Sequence, residues 1–526
     1  MTSDPVVDAL CRPDFYPHHP ASVELVQTHA SYIFLAGDFV YKIKKPVRYD
    51  FLDFTTLEKR KFFCEEEIRL NRRLAPSVYL EVVPLSRNQQ GTLVRGEENI
   101  VEYAVKMRRL PDDRMLKTLL RANPDDLEPI APIARTVAAF HKEAQTGGRI
   151  DEGGSLAAIR KNTEENFDET KKFIDVTIAR HAYEFIADFT RAFLSANEPL
   201  LASRVSRHHI RDCHGDLHME HICMTDGVVI FDCIEFNERF RFIDTAAEIA
   251  FLMMDLDFHG YARQADLFGR TYMEHSGDTQ AARLIDFYRA YYAYVRGKVT
   301  SLRLLSNGLP AAARDEITTL ASRYFDLAYA YAARLEKPVL MLTAGLIGSG
   351  KSYQARSLES LLGARVIRTD VLRKEMLGIT PSEKHADDFG KGIYADDITE
   401  RTYARAFELA EAGLRAGHPV ILDASFGDRA KRKAAGRLAE KVGVPFYVLD
   451  CVCPDDVVVK RLERRARDLD NPSDGRWEIL TEQKKIFHPI DEMDACHYFR
   501  IDTSDRPERL RHEIVRTLKM RELSGQ

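Results

Sequence analysis

Two groups of residues in this chain have the types and spacing needed to handle phosphate. The first is Gly345-Leu346-Ile347-Gly348-Ser349-Gly350-Lys351-Ser352, which satisfies G-x-x-x-x-G-K-[ST] directly after the apolar run 339–343. Three glycines let such a loop turn successive backbone N–H groups inward onto a nucleotide's phosphates, while Lys351 adds a point charge and Ser352 a hydroxyl for Mg²⁺. A Gly-rich turn between strand and helix is the plainer alternative; the apolar run before it and the helix-forming stretch 353–362 after it favour the cradle. The second group is His214-Gly215-Asp216-Leu217-His218-Met219-Glu220-His221, followed sixteen residues after Asp216 by Asp232, which closes the apolar run 228–231. A loop carboxylate beside a strand-end carboxylate suits metal-assisted transfer to a hydroxyl: one orients the hydroxyl and takes its proton, the other holds Mg²⁺ against the phosphates. Here the plainer alternative is a structural His–Asp network of hydrogen-bonded core residues.

The elements that must position these groups are legible from periodicity. Short strands are expected at 23–27, 32–36 and 39–44, with period-two alternation putting Lys42 and Lys44 on one face. A Glu/Lys/Arg/Leu-rich helix follows at 56–74 and stops at Ala75-Pro76. Two more strands fit 79–85 and 100–107, and helical stretches fit 112–143 and 162–196. A small β-rich lobe (about 20–107) thus precedes a helical lobe (about 112–336). Beyond Lys337-Pro338, strand-like runs at 339–343, 365–369, 420–422, 446–452 and 497–501 alternate with helical ones. Such alternation implies βαβ crossovers and a parallel sheet covered by helices. The expected domains are therefore 1–336 and 337–526.

The chain's 526 residues exceed one core at ~150 residues per domain. Its formal charge of -5, from 76 basic and 81 acidic residues, argues against a general polyanion binder. No run reaches the ~18 apolar residues of a membrane span, and residues 1–14 lack an apolar signal core. A cytoplasmic protein without a membrane partner is the expectation. Eight cysteines lie scattered without C-x-x-C spacing; reduced thiols explain them better than zinc or disulfides.

The His214–His221 segment and Asp232 resemble the aminoglycoside phosphotransferase and choline kinase branch of the protein-kinase-like fold, with its H-G-D-x-H-x-x-N loop and I-D-x-E segment. The resemblance covers roughly residues 20–300. It implies a two-lobed α+β domain in which Asp216 is the base, His214 and His218 support the loop, and Asp232 ligates metal. It also implies that Lys42 contacts α- and β-phosphates, paired with Glu67, with Lys44 and Glu66 as the alternatives in the other register. Where the family has asparagine as second metal ligand, this chain has His221, a poorer ligand for hard Mg²⁺. Glu235 fits the acidic position of I-D-x-E, and equally a surface charge. Asp244 is read as a helix cap, and the tyrosine-rich stretch 288–296 as core packing or an acceptor-facing surface.

In the carboxy-terminal half, Asp370 follows the second strand in Thr369-Asp370-Val371-Leu372-Arg373, where α/β folds bind ligands, and Asp423 closes another strand, positioned to hold Mg²⁺ through water. Lys460-Arg461-Leu462-Glu463-Arg464-Arg465 gathers cations on one helix. These features resemble P-loop small-molecule kinases of the gluconate-kinase, zeta-toxin-like and polynucleotide-kinase-like families, over about 338–505. That resemblance implies Asp370 as base, Arg373 as acceptor contact, and Arg461 and Arg465 as lid arginines, with Arg464 an alternative; a solvated helix face is the competing account of the run. No N-K-x-D follows, which favours ATP.

Together these readings predict an α/β protein: a protein-kinase-like domain fused to a P-loop parallel-sheet domain. The expected function is a bifunctional phosphotransferase moving the γ-phosphoryl group of ATP, with Mg²⁺, to a small-molecule hydroxyl at two nucleotide sites. Two rivals remain: an ATP-binding regulator whose amino-terminal half is a pseudokinase, and a nucleic-acid end kinase, against which the acidic balance argues. The acceptor and the oligomeric state are not encoded in these motifs.

Overall fold

A computed structural model describes residues 4–49, 51–88, 93–306, 308–380, 391–466, 477–504 and 507–525. The chain divides into two compact units, Met1–Ile178 with Asn197–Ala328, and Ala179–Ala196 with Tyr329–Gln526. The linear boundary at 336/337 differs from this in two ways. The break falls at Ala328/Tyr329, and the helix Arg180–Ala196 joins the second unit, where it packs on the helix Pro507–Ser524 and its Asp188 pairs with Arg516. An apolar helix face records that it must be buried, not which surface buries it.

Unit 1 opens with a six-stranded antiparallel sheet among the described residues. Its strands are β1 (Val23–Gln27), β2 (Ser31–Ala36), β3 (Phe39–Lys44), β6 (Tyr79–Arg87), β7 (Leu93–Arg95) and β8 (Ile100–Arg108), in the order β1-β2-β3-β8-β6-β7; a small hairpin, β4 (Arg48–Tyr49) and β5 (Leu52–Asp53), follows β3. Alternation along β3 sends Tyr41 and Ile43 into one core with Phe34, Leu85 and Ala104. Lys42 and Lys44 face the other way, and both reach Glu67 on the helix Leu57–Asn71. Thr56 caps that helix by accepting from Lys59 N–H.

The helical lobe surrounds the helix Thr245–Phe258, which is buried along nearly its whole length, as an all-round apolar helix must be. Asp244 caps it by accepting from Ala246 N–H at 2.8 Å, as its sequence position predicts. Tyr288, Tyr292 and Tyr294 are buried, so the tyrosine-rich stretch is mainly core. Two expected long helices are broken: 112–143 splits into Leu116–Ala122 and Ile130–Glu143, and 162–196 into Leu156–Thr170 and Arg180–Ala196. Pro124 and Pro129 lie within the first gap, where a missing N–H and a restricted preceding residue disfavour helix. Short ladders, β9 (Ile210–Asp212) with β12 (Phe242–Asp244) and β10 (Ile222–Met224) with β11 (Val228–Ile230), frame the His214–His221 loop.

Unit 2 is built on a parallel sheet of β13 (Leu340–Ala344), β14 (Arg365–Arg368), β15 (Val420–Asp423), β16 (Phe446–Val452) and β17 (Tyr498–Asp502), ordered β14-β15-β13-β16-β17. Leu340, Leu342, Val420, Leu422 and Val448 are fully buried in its core, as central parallel strands covered by helices require. Among the described residues, no helix is long and apolar enough to cross a membrane.

Arg204 ties the helical lobe of unit 1 together. Its fully buried guanidinium donates to Asp244 at 2.6 and 2.9 Å and to Asp278 at 2.5 and 2.7 Å. Removing the cation leaves two buried carboxylates uncompensated. Arg204→Ala is therefore expected to lower the unfolding free energy by about 3–5 kcal/mol, read by urea titration and circular dichroism, against no comparable loss in the exposed control Arg207→Ala.

Candidate active sites

In unit 1, Glu67 is buried between two ammonium groups. Its Oε1 lies 2.9 Å from Lys42 Nζ and its Oε2 2.7 Å from Lys44 Nζ. Lys42 also reaches Asp232 Oδ1 at 2.7 Å, and Lys44 pairs with Glu235. Glu66, the alternative in the other register, pairs at 2.7 Å with Arg69 on the helix surface instead. Glu235 is thus a buried partner of Lys44 rather than a surface charge. Burial opposes ionisation of Glu67, but Lys42 and Lys44 outweigh it and hold its carboxyl below the ordinary value. Burial likewise opposes charge on Asp232, and Lys42 followed by His221 drives its pKa well down.

Asp232 adopts φ +62, a left-handed conformation that Asp tolerates better than most residues. Its N–H donates to the Tyr79 hydroxyl at 3.1 Å. Asp216 meets two imidazoles, His218 Nε2 at 3.6 Å and His221 Nδ1 at 3.5 Å from its Oδ2. Against burial, these rings keep Asp216 well below the usual carboxylate range, so it is ionised at neutral pH. His221 stands between the two aspartates: Nδ1 contacts the Asp216 carbonyl oxygen at 2.9 Å, and Nε2 lies 3.6 Å from Asp232 Oδ2. Lys42, Glu67, Asp216, His221 and Asp232, read separately from four stretches of sequence, therefore form one continuous set of contacts.

Residues outside the motifs hold the loop in place. Gly215 N–H donates to Glu248 Oε1 at 2.6 Å and Met219 N–H to Asp255 Oδ2 at 3.0 Å. These carboxylates stand seven residues, about two turns, apart on one helix, so they share a face. Glu248 is held in turn by His141 Nε2 at 2.7 Å. Arg73 donates to the Asp212 and Cys213 carbonyls at 2.6 and 3.0 Å. Gly215 has φ +85, and a Cβ there would sit 2.8 Å from the Phe240 carbonyl oxygen. Sequence reading overlooked Glu248 and Asp255, although a carboxylate inside an apolar helical run signals a buried polar partner.

In unit 2 the parallel register brings Asp423 level with Thr343 and Arg368. The glycine loop after β13, Asp370 just beyond β14 and Asp423 at the end of β15 thus lie at the carboxyl edge of one sheet. Gly345, Gly348 and Gly350 have φ +134, +75 and +92, and a Cβ on Gly345 would meet the Cys451 carbonyl oxygen at 2.3 Å. Lys351 and Ser352 open the helix Lys351–Leu362, whose N-terminal N–H groups suit an anion. Lys351 Nζ folds over its own loop onto the Gly345 and Leu346 carbonyls at 3.0 and 2.8 Å. Among the described residues, the buried Ser349 hydroxyl oxygen has no hydrogen-bond partner. This set fits a bound phosphate chain: the glycines are sterically required, and an ammonium and a buried hydroxyl border the loop.

Asp423 accepts from Thr343 Oγ1 at 3.0 Å, and Arg368 Nε lies 3.6 Å from its other oxygen. Asp370, half exposed on the first turn of the helix Thr369–Met376, pairs at 3.2 Å with the buried Arg373, which stacks on Tyr394. Arg461 is engaged differently from a free lid residue. Its guanidinium donates to Thr503 Oγ1 at 2.8 Å, the Thr503 carbonyl at 2.6 Å and the Gly348 carbonyl at 3.4 Å, bracing the wall of the loop. Arg464 is exposed on the same helix, and the side chain of Arg465 lies outside the described residues.

Residues 340–490 match the family model described as an AAA domain. Across 498 residues, 93% of this chain and 95% of theirs, the sequence is 35% identical to uncharacterized protein Rv2004c of Mycobacterium tuberculosis and to uncharacterized protein Mb2027c of Mycobacterium bovis. The chain belongs to their family. Because the match runs nearly end to end, both units lie within it. Among solved structures, a choline/ethanolamine kinase family protein from Mesorhizobium loti is 15% identical, covering 62% of this chain and 99% of its own at a TM-score of 0.37. A gluconokinase from Sinorhizobium meliloti is 18% identical, covering 36% and 94% at a TM-score of 0.25.

His214 carries a pH signature. Its Nε2 contacts the Phe231 carbonyl oxygen at 3.0 Å and its Nδ1 accepts from Asp216 N–H at 3.3 Å, so the neutral ring is satisfied on both sides. Burial lowers its pKa from 6.5 to about 4. Between those values the unfolded chain binds a proton that the native ring refuses, so stability falls as pH drops from 6.5 to about 4. His214→Asn is expected to reduce the difference in unfolding free energy between pH 7 and pH 4 by about 3 kcal/mol, measured by urea titration at each pH.

Proposed function

We propose that the protein is a bifunctional ATP-dependent phosphotransferase with a nucleotide site in each unit, each serving a small-molecule hydroxyl. The observation that carries this reading is the chain of contacts from Glu67 through Lys42 to Asp232, and from Asp232 through His221 to Asp216. It puts an ammonium suited to phosphate, a carboxylate suited to a metal and an ionised carboxylate suited to proton transfer side by side.

In unit 1, Lys42 is held for the α- and β-phosphates by Glu67, and Asp216 faces the acceptor. The acceptor oxygen bonds to the γ-phosphorus as its proton passes to the Asp216 carboxylate. The bond from the γ-phosphorus to the bridging oxygen breaks, and ADP departs with that electron pair. Asp232 and His221 would hold the divalent ion, which would offset charge developing on the phosphate oxygens. Glu248 and Asp255 fix the backbone on either side of Asp216, so the base is presented without rearrangement.

In unit 2, the loop N–H groups and Lys351 cradle the triphosphate. Ser352 and Asp423 would hold Mg²⁺, which would offset negative charge on the phosphates. Asp370 takes the acceptor proton, and Arg373 both orients Asp370 and contacts the acceptor. Arg461 stiffens the cradle through Thr503 and Gly348, which leaves charge neutralisation at the departing phosphate to the rest of the 460–465 cluster. The contacts of Arg461 with Thr503 support this division of roles better than a freely swinging arginine.

Incubating metabolite extracts with γ-labelled ATP tests the reading. Lys351→Ala and Asp216→Asn are each expected to abolish a distinct labelled product, with rate losses on the order of 10²-fold or more. Labelling left intact by Asp216→Asn would remove unit 1 from the account. Tight ATP binding by unit 1 without transfer would make that unit regulatory.

A further inference from the structure

The orientation of His221 assigns a proton and a lone pair. Its Nδ1 is 2.9 Å from the Asp216 carbonyl oxygen, which can only accept, so Nδ1 carries the hydrogen. In the neutral ring Nε2 is then an unprotonated donor atom, and it faces Asp232 Oδ2 across 3.6 Å. The other oxygen of Asp232 is held by Lys42 at 2.7 Å. Two electron pairs therefore lie 3.6 Å apart with no hydrogen between them, an arrangement completed by a cation shared between them.

His218 differs. Its Nδ1 accepts from Glu220 N–H at 3.3 Å, so Nε2 carries the hydrogen toward Asp216 Oδ2 at 3.6 Å. Asp216 thus receives N–H groups from both imidazoles. The nearby trio Asp216, His218 and His221 lies within metal-binding distance, but its protons point inward, and the open donor pair is on the Asp232 side.

The His221 ring is held ready for this role. His221 N–H donates to the His218 carbonyl, Phe231 N–H donates back to the His221 carbonyl, each at 3.0 Å, and the ring packs 3.9 Å from His218 between centroids. Two donors sharing an ion at ~2.1 Å each stand ~3.4 Å apart in tetrahedral geometry and ~3.0 Å apart in cis-octahedral geometry. The observed 3.6 Å lies nearer the tetrahedral arrangement. Mixed imidazole and carboxylate donors suit Mn²⁺, Co²⁺ and Zn²⁺, whereas Mg²⁺ prefers oxygen alone.

We propose that unit 1 binds a borderline transition-metal ion through His221 Nε2 and Asp232 Oδ2, in preference to Mg²⁺, with nucleotide phosphates completing its coordination. This rests on the reading of unit 1 as a triphosphate site. The test is Mn²⁺ titration of the untagged, full-length, nucleotide-free protein, followed by continuous-wave and pulsed electron paramagnetic resonance. Wild type is expected to give the ¹⁴N modulation of one directly bound imidazole. His221→Asn and His221→Gln should each lose that modulation, weaken Mn²⁺ binding by at least about tenfold, and shift competition toward Mg²⁺. Lys351→Ala, altered only in unit 2, should retain the modulation. Absence of ¹⁴N coupling in wild type, or an unchanged Mn²⁺-to-Mg²⁺ preference in both folded His221 variants, overturns the proposal. Mg²⁺-supported transfer by unit 1 without nitrogen coupling would overturn this inference while sparing the phosphotransferase reading. Nitrogen coupling without transfer would uphold the cation site and overturn that reading for unit 1.

Discussion

The buried sharing of Glu67 between Lys42 and Lys44 is the constraint around which unit 1 is arranged. Removing these charges from water carries a large desolvation penalty, which only close pairing offsets. That requirement fixes three separate elements at once. Strand β3 must present both lysines on one face, the helix Leu57–Asn71 must bring Glu67 against them, and the segment after β11 must deliver Asp232 and Glu235 to their far sides. Three carboxylates meet two ammonium groups there, so the cluster is one negative charge from neutrality, and Asp232 keeps an oxygen directed toward His221. The sheet and the helical lobe of unit 1 are thereby joined through electrostatics as well as packing.

The loop carrying Asp216 depends on that frame and on a second one. Glu248 and Asp255 grip backbone N–H groups on either side of the aspartate, while Arg73 and Arg241 hold the carbonyls and carboxylate at its amino-terminal end. Charge-assisted bonds to backbone are among the stronger contacts available to a loop, and here they act on the backbone, while the Asp216 carboxylate itself meets the His218 and His221 rings. Unit 2 meets the same demand with different parts. Its cradle is pinned from outside by Thr503 donating to the Ser349 carbonyl at 2.7 Å, with Arg461 behind it. A parallel sheet aligns the other functional groups, because every strand ends at the same edge.

Much of this was legible along the chain. Alternation placed Lys42 and Lys44 together, the glycine spacing marked the cradle, and Asp244 was recognisable as a cap. The strands of both sheets were found within a residue or two where their apolar runs were uninterrupted; β7 and the β4–β5 hairpin, too short to carry a period, were not. The helix breaks near Pro124 and at residues 171–179 were lost inside longer amphipathic stretches. Arg461 could be located on its helix but not oriented, since a charge run does not reveal which arginine turns inward.

By itself, the sequence determined the chemical inventory and its local order: which residues bear cationic, acidic and imidazole groups, where the glycines fall, and on which kind of element each stands. Those properties follow from backbone period and side-chain type, which act over a few residues. Tertiary structure alone decided that Glu67 rather than Glu66 turns inward to both lysines, that His221 bridges Asp216 and Asp232, and that the helix Arg180–Ala196 belongs with unit 2. Each of these depends on surfaces far apart in the chain meeting at atomic distance, where desolvation rejects every unpaired charge and so selects one partner among several that local pattern leaves equivalent.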